Sequence, residues 1–201
     1  MKKPLPLAVP LGYQVYMTQP FGDTAKVEWY KANGLNISAH NGLDLVVWKS
    51  GITEAESKRL TYGTKIVCPV PNAVLDKTWW ENPMSTKGNG IQIAWTEGTD
   101  TYKMLAWHCS EINPKPKYVL EEQIGLIGNS GLVDPKPSPA CVFCGSHLHL
   151  MLYKNSVLID PEIYFDIKKW YTAPDTGKEK DLAPFAHFLS WISAELKKLI
   201  K

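Results

Sequence analysis

The chain contains the segment Ser146-His147-Leu148-His149-Leu150-Met151-Leu152-Tyr153, in which histidines and leucines alternate. Successive side chains of a β-strand point to opposite faces, so residues two apart share a face. The three leucines would therefore enter the core, and His147 and His149 would lie side by side on the other face. Two imidazoles on one face of an apolar strand are costly to desolvate without partners. The segment therefore predicts a strand that carries a polar site.

Short strands separated by turns are predicted on the N-terminal side of this segment as well. They cover residues 13–18, 42–48, 64–70, 74–79, 90–95, 102–108 and 123–127, with a hairpin turn at 97–100. Regular short strands with turn signals between them favour a sandwich or folded sheet over a βαβ arrangement. The predicted fold class is therefore mainly β, an antiparallel folded sheet or sandwich followed by a C-terminal amphipathic helix.

The composition is that of an ordinary globular protein, with 201 residues of which 44% are hydrophobic. The net charge of +2 is too small to indicate nucleic-acid binding, although it suits an anionic polymer. No segment resembles a transmembrane span, so stable membrane insertion is not predicted. The first ten residues are rich in proline and lack a long apolar run, so no secretory signal is predicted and the localisation stays open.

The domain boundaries follow changes in composition along the chain. Residues 1–10 are interpreted as an N-terminal extension, 11–170 as the main domain and 171–181 as a linker. In residues 182–201 apolar side chains recur at helical spacing, which predicts an amphipathic helix. Such a helix could pack on its own domain, bind a protein partner or a second copy, or lie on a membrane surface.

Four cysteines are present: Cys68, Cys109, Cys141 and Cys144. Only the last two form a C-x-x-C, and a structural zinc site needs four ligands in two such knuckles. Reduced, mostly buried thiols are the favoured expectation. A Cys141–Cys144 disulfide or redox-sensitive loop is one alternative, and a second metal site is the other.

Further candidate metal ligands lie earlier in the chain. The segment His40-Asn41-Gly42-Leu43-Asp44 carries an imidazole and a carboxylate, and its Asn-Gly dipeptide indicates a turn. His108 ends the predicted strand 102–108. Imidazole nitrogen and carboxylate oxygen are the ligands of an open, water-bearing catalytic zinc. Together five residues predict a zinc hydrolase: His40, Asp44, His108, His147 and His149.

Two arrangements of the ligands are compatible with these residues. In one, His40, Asp44 and His149 bind the zinc ion, and His147 acts on the water. In the other, both strand histidines bind the ion and Asp44 supports them from outside the coordination sphere.

With these residues the chain resembles the lysostaphin-like zinc metallopeptidases, which cut peptide bonds in bacterial peptidoglycan. The resemblance extends from about Gln19 to Phe165 and rests on several short motifs in a fixed order. These are Gln19-Pro20-Phe21-Gly22, the His40–Asp44 segment, Gly63-Thr64-Lys65-Ile66-Val67-Cys68-Pro69-Val70, Gly88-Asn89-Gly90 with Ile91-Gln92-Ile93, Trp107-His108, Gln123-Ile124-Gly125-Leu126-Ile127-Gly128-Asn129-Ser130-Gly131, His147-Leu148-His149, and Asp160-Pro161 with Tyr164. Each motif is weak alone, and their order is specific.

The resemblance implies one Zn²⁺ per chain, held by His40, Asp44 and His149. It implies that His108 and His147 flank a water as general base and transition-state stabiliser, and that the function is hydrolysis of peptide cross-links in peptidoglycan. Without a signal peptide, a phage-encoded protein released at lysis or carried on the virion would reach that substrate. The rival functions are a non-catalytic cell-wall-binding or regulatory protein of the same fold and a zinc amidase acting on peptidoglycan.

The chain departs from the family pattern at three places. Cys109 stands beside His108, where an apolar residue is usual, and Asp23-Thr24 replaces a more common basic residue. The proline-rich loop 132–145 is longer than the family pattern implies. We expect this loop to form one wall of the substrate groove, which leaves the scissile bond open.

Overall fold

The computed structural model describes residues 2–80 and 88–167. The predicted linker 171–181 and the predicted helix 182–201 lie outside the described residues, as does the end of the predicted main domain. Within the described residues, no helix is both long enough and apolar enough to cross a membrane.

Strands dominate the described part of the chain. In chain order the elements are β1 Leu7–Ala8, β2 Gln14–Gln19, α1 Val27–Ala32, β3 Leu43–Trp48, α2 Glu54–Thr61, β4 Lys65–Val67, β5 Ala73–Trp79, β6 Gly90–Glu97, β7 Asp100–Trp107, β8 Cys109–Ile112, β9 Lys117–Tyr118, β10 Gln123–Ile127, β11 Leu148–Lys154, β12 Val157–Ile159 and a 3₁₀ turn at Pro161–Ile163.

The strands form two antiparallel sheets. The larger sheet has the order β2-β3-β11-β7-β6-β5-β9, with β12 added beside β11, and the smaller has the order β1-β4-β10-β8. One hydrophobic core contains buried residues of both sheets, among them Leu45 and Leu148 from the larger and Ile66 and Ile124 from the smaller. The predicted mainly β, antiparallel fold class is confirmed.

Strand β11 lies inside the larger sheet, between β3 and β7. Its residues Leu148, Leu150 and Leu152 are fully buried, as their alternation predicts. Burying each such side chain contributes about 1.5–3 kcal/mol relative to leaving it in water. The leucines therefore fix which face of β11 turns to the core, and His149 is left on the other face.

The first ten residues contribute to the described fold. Leu7 and Ala8 pair with Ile66 and Lys65 at the edge of the smaller sheet, and Leu7 is buried. The Lys3 ammonium lies 2.8 Å from Glu97 Oε1. Part of the segment interpreted as an extension is thus packed on the domain.

Helix α2 was not predicted, although its start carries a recognisable sequence signal. Thr53 and Glu56 form a capping box, in which each side chain bonds the other residue's backbone N–H. The buried side of the helix presents Ser57 and Thr61, whose hydroxyls donate to the backbone of Val47 and Ser57. Because that side is polar, the apolar periodicity on which helix prediction depends is missing.

Candidate metal centre

Three side chains from two parts of the chain meet at one point. His149 Nδ1 lies 2.9 Å from Asp44 Oδ1 and 3.1 Å from His40 Nε2, and the latter two atoms are 3.2 Å apart. Ligand atoms bound tetrahedrally at about 2.0–2.1 Å from one zinc ion would lie roughly 3.4 Å from one another. The triangle therefore has nearly the size that a single bound ion requires.

Strand pairing and a tight turn hold the three residues together. In the antiparallel register of β3 and β11, His149 lies directly opposite Asp44. His40 precedes β3, and its backbone N–H donates to Asp23 O at 2.7 Å while its carbonyl accepts from Gly22 at 2.8 Å. The Gln19–Gly22 motif thus anchors the loop that brings His40 to the sheet.

The segment between His40 and Asp44 needs a glycine at position 42 because β11 lies too close for any side chain. A Cβ atom added there would lie 2.7 Å from Leu150 O and 2.8 Å from His149 Nε2. Contacts this short do not occur for real Cβ atoms, so any side chain would push β11 and its histidine away. The glycine permits the close approach of two backbones that the site requires.

The hydrogen bonds of the two candidate ligand histidines orient their rings. His40 Nδ1 donates to the carbonyl of Pro20 at 3.0 Å, which turns Nε2 to the site. His149 Nε2 donates to Asn41 Oδ1 at 3.1 Å, which turns Nδ1 to the site. These two nitrogens face the Asp44 carboxylate, to which each donates when protonated, and once deprotonated they would offer lone pairs to a cation. Sequence reasoning missed the roles of Pro20 and Asn41, although both lie within the motifs it singled out.

The surroundings shift the pKa values of all three groups. Burial alone would raise the pKa of Asp44, but His147, His149 and His40 outweigh it and hold that pKa well below its usual range. Burial lowers the pKa of His149 despite the nearby carboxylate. Burial alone would lower the pKa of His40, but the hydrogen bond and the charge of Asp44 outweigh burial and raise that pKa. Asp44 is therefore ionised and His149 neutral near pH 7.

His108 and His147 lie beside the triangle. Their ring centroids are 4.6 Å apart, and His147 Nε2 is 3.5 Å from Asp44 Oδ1. His108 Nδ1 donates to Ser130 O at 2.7 Å, and His147 Nδ1 donates to Gly145 O at 2.7 Å. In each ring Nδ1 is engaged with a backbone carbonyl, so Nε2 is the nitrogen that can take up or release a proton.

His108 is neutral because its pKa is well below the usual value. Burial is the main cause, and a positive charge on His147 or His149 would lower the pKa further. The predicted strand 102–108 ends one residue too late, since β7 spans Asp100–Trp107 and His108 has a left-handed φ of 64°. Such a conformation costs about 1–3 kcal/mol and is retained where neighbouring structure enforces it. Here the next N–H, of Cys109, donates to Asn89 O at 3.0 Å.

The cysteines correct one expectation. Cys141 and Cys144 form a disulfide, with Cα atoms 5.3 Å apart, whereas Cys68 and Cys109 are free and buried. The expectation of reduced thiols is therefore wrong for Cys141 and Cys144, because the turn between them brings their Cα atoms within bridging distance. Among the described residues, the one group of metal-binding side chains is His40, Asp44 and His149.

Comparison with known proteins relates this fold to solved structures. No protein-family model and no curated protein sequence matches the chain. A zinc-containing peptidase from Vibrio cholerae is 18% identical with a TM-score of 0.51, over 83% of this chain and 41% of that one. A chain of the SpoIIQ–SpoIIIAH pore-forming complex is 17% identical with a TM-score of 0.51, over 82% and 91%. The catalytic domain of lysostaphin from Staphylococcus simulans is 19% identical with a TM-score of 0.49, over 76% and 91%.

These likenesses establish the fold. Because the sequence identities are below one fifth, the activities of these proteins cannot be assigned to this chain. The chain also spans less than half the length of the Vibrio cholerae peptidase. The chemistry of the site therefore depends on its own residues.

Proposed function

We propose that this chain, which has the fold of the lysostaphin-like peptidases, is a zinc-dependent endopeptidase that hydrolyses peptide cross-links of bacterial peptidoglycan. The observation that carries the proposal is the convergence of His40 Nε2, Asp44 Oδ1 and His149 Nδ1 beside two further histidines. The peptidase among the structural neighbours and the net charge of +2, which suits an anionic polymer, support it.

Zn²⁺ would be held by His40, Asp44 and His149, a set of two imidazoles and one carboxylate that is typical of catalytic zinc. When bound, the ion supplies a Lewis acid that lowers the pKa of water and polarises a carbonyl group. The hydrogen bonds to Pro20 and Asn41 orient the two rings so that the ligand nitrogens point to the site.

His108 is the better candidate for the general base. It is neutral, its Nδ1–H is committed to Ser130 O, and its Nε2 can accept a proton from water. The same nitrogen can return that proton to the amine that leaves when the peptide bond breaks. A buried imidazole with a lowered pKa stays in its basic form under the conditions of the reaction.

His147 is placed to stabilise developing negative charge. Its Nδ1–H is committed to Gly145 O, so a proton on Nε2 would be free to donate to the oxyanion of a tetrahedral intermediate. Two imidazoles on neighbouring elements thus divide proton transfer and charge stabilisation between them.

A cysteine nucleophile is not required and is not supported. Cys109 is adjacent to His108, but burial raises the pKa of its thiol to about 12. Burial also raises the pKa of Cys68, and the other two cysteines form a disulfide. Since the thiolate is the reactive form, none of the four cysteines is a competent nucleophile.

The rival function is that of a non-catalytic protein with the same fold. One structural neighbour of this chain belongs to a pore-forming complex.

The test is to incubate the purified protein with whole peptidoglycan and identify the released ends by mass spectrometry. New amino and carboxyl ends within peptide cross-links support the endopeptidase. Release of intact stem peptides from glycan indicates an amidase, and unchanged peptidoglycan indicates a non-catalytic role. His149→Ala is the matched inactive control.

A further inference from the structure

The side-chain amide of Asn129 holds the turn 141–144, which precedes His147 and His149. Asn129 Nδ2 donates to Val142 O at 2.8 Å and to Cys144 O at 3.0 Å. Both acceptors belong to the four-residue turn that the Cys141–Cys144 disulfide closes. Ser146 adds a second tie, since its N–H and hydroxyl both donate to Phe143 O.

Gly145 connects this turn to the site. Its φ is +70°, and a Cβ atom there would lie 2.5 Å from Pro135 O and 2.6 Å from Val133 Cγ2. The residue is therefore confined by the loop packed against it, and Val133 is itself buried. Its carbonyl accepts the Nδ1–H of His147 at 2.7 Å. The position of the turn thus determines where this carbonyl meets the imidazole.

The metal ligands depend on different supports. His149 and Asp44 are held by the pairing of β3 with β11, and His40 is held by residues 20–23. Strand β11 begins at Leu148, so His147 lies just outside it. The structure consequently separates the support of the candidate ligands from the support of His147.

We propose that Asn129 and the Cys141–Cys144 disulfide are positioning residues for His147, and that they act by holding the Gly145 carbonyl against its Nδ1–H. This proposal rests on the proposed function for its catalytic consequence. Neither Asn129 nor the disulfide is within the group of candidate metal ligands. Loss of either should therefore disturb the imidazole of His147 and leave the ion in place.

The disulfide makes this support sensitive to reductant. A dithiol thiolate attacks one sulfur to give a mixed disulfide, and the second dithiol thiol then closes the reagent into a cyclic disulfide. Both electrons come from the reagent, and its two protons pass to Cys141 and Cys144, which end as thiols. The two cysteines are partly exposed and can be reached, whereas Cys68 and Cys109 are already free thiols.

The test uses full-length protein loaded with zinc and labelled with ¹⁵N in its histidine side chains. We expect the His147 signals of the wild type to report a protonated Nδ1 in a hydrogen bond. In Asn129→Ala, and in wild type treated with dithiothreitol, they should shift toward a mixture of tautomers. In Asn129→Ala, without reductant, zinc content should not change, and kcat on soluble muropeptides should fall roughly ten- to a hundredfold with little change in KM.

Two controls isolate the cause. Asn113→Ala removes an amide that donates to Gln123 O at 3.2 Å beside the smaller sheet, and it should leave His147 unchanged. Cys141→Ser with Cys144→Ser should show the reduced signals with or without dithiothreitol. If Asn129→Ala does not fold, the double serine variant without dithiothreitol decides the question.

Unchanged His147 signals after reduction and in Asn129→Ala would overturn the proposal, and so would loss of zinc together with the shift in Asn129→Ala or in the double serine variant without reductant. Because the magnetic resonance readout needs no turnover, it stands apart from the proposed function. A shifted His147 in a protein that never cleaves peptidoglycan would refute the function and retain the positioning.

Discussion

Asp44 lies directly opposite His149 in the antiparallel pairing of β3 with β11, and Asp44 Oδ1 is 2.9 Å from His149 Nδ1. A shift of one residue in this register would turn one of the two side chains to the opposite face of the sheet. The buried leucines of β11 prevent such a shift because they would leave the core. The hydrophobic pattern of one strand therefore sets the geometry of the site.

The first prediction separates the histidines of the His-x-His pair. His147→Ala should keep one zinc per chain and lose about 10²-fold or more of the activity, because a proton-transfer or charge-stabilising group is removed and no ligand is. His149→Ala and Asp44→Ala should lose both zinc and activity. Zinc content by elemental analysis decides it. A metal-free His147→Ala beside a zinc-loaded Asp44→Ala would reverse the assignment of the ligands.

The second prediction concerns stoichiometry. We expect one tightly bound zinc per chain, removal of activity by a chelator and recovery on adding zinc back. The disulfide leaves Cys141 and Cys144 without thiolates to offer a second ion. Elemental analysis of the oxidised protein that finds two tightly bound zincs would contradict this prediction.

The third prediction tests the close approach at Gly42. Gly42→Ala would place a Cβ 2.7 Å from Leu150 O, so β11 must move and zinc affinity should fall about tenfold or more. Gly125→Ala is the matched control, since its Cβ would lie 2.7 Å from Glu111 O in the smaller sheet. That variant should lose stability but keep zinc affinity. Equal zinc affinities for the two variants, measured by competition with a chelating dye, would count against the argument.

The fourth prediction is that acid weakens zinc binding. Asp44 and the Pro20 carbonyl outweigh burial and raise the pKa of His40, so a proton on Nε2 competes with the ion. The protonated fraction of His40 grows as pH falls through this raised pKa, so the apparent zinc affinity should drop by up to about tenfold per pH unit. Calorimetric titrations across that range would measure it. Affinity that does not change with pH would refute the competition.

The fifth prediction concerns Lys3 and Glu97. Burial alone would raise the pKa of Glu97, but hydrogen bonds from Lys3 and Tyr164 outweigh it and lower that pKa. A lowered carboxyl pKa stabilises the fold above the unfolded-state pKa, and the stabilisation disappears as pH falls through the folded-state pKa. Lys3→Met should therefore lower the free energy of unfolding by at most about 1 kcal/mol near pH 7, because the pair is partly exposed.

At a pH below the lowered folded-state pKa of Glu97, where its carboxyl is protonated, denaturant unfolding of Lys3→Met and wild type should nearly coincide. Lys2→Met, which changes the charge of the same segment by the same amount, serves as the control. An effect of Lys3→Met that is equal at both pH values would show that the ion pair is not its cause.

The sequence predicted most strands because their side chains follow simple rules. In β11 the leucines alternate with residues of another kind, and the turn at Gly98 has the short loop that such hairpins use. The five site residues could be found because metal sites require particular side-chain types. The structure brings all five together, and their individual roles stay predictions.

Other features could not be predicted because they depend on backbone atoms or on exact geometry. The anchors of His108 and His147 are the carbonyls of Ser130 and Gly145, and any residue type carries a carbonyl. Formation of the disulfide depends on the distance between two Cα atoms, which the C-x-x-C spacing alone does not fix. Helix α2 buries hydroxyl groups, so its pattern of hydrophobicity gave no signal.

His149 lies far along the chain from the other two candidate ligands, 109 positions after His40 and 105 after Asp44. An ion that joins them is a cross-link closing a loop of about half the polypeptide. If only chain entropy is considered, a covalent link across about 100 residues raises the free energy of the unfolded state by roughly 4–5 kcal/mol. An ion that dissociates on unfolding instead favours the native state in proportion to its affinity and free concentration. Resistance to heat and to proteases would then follow the zinc supply of the surroundings.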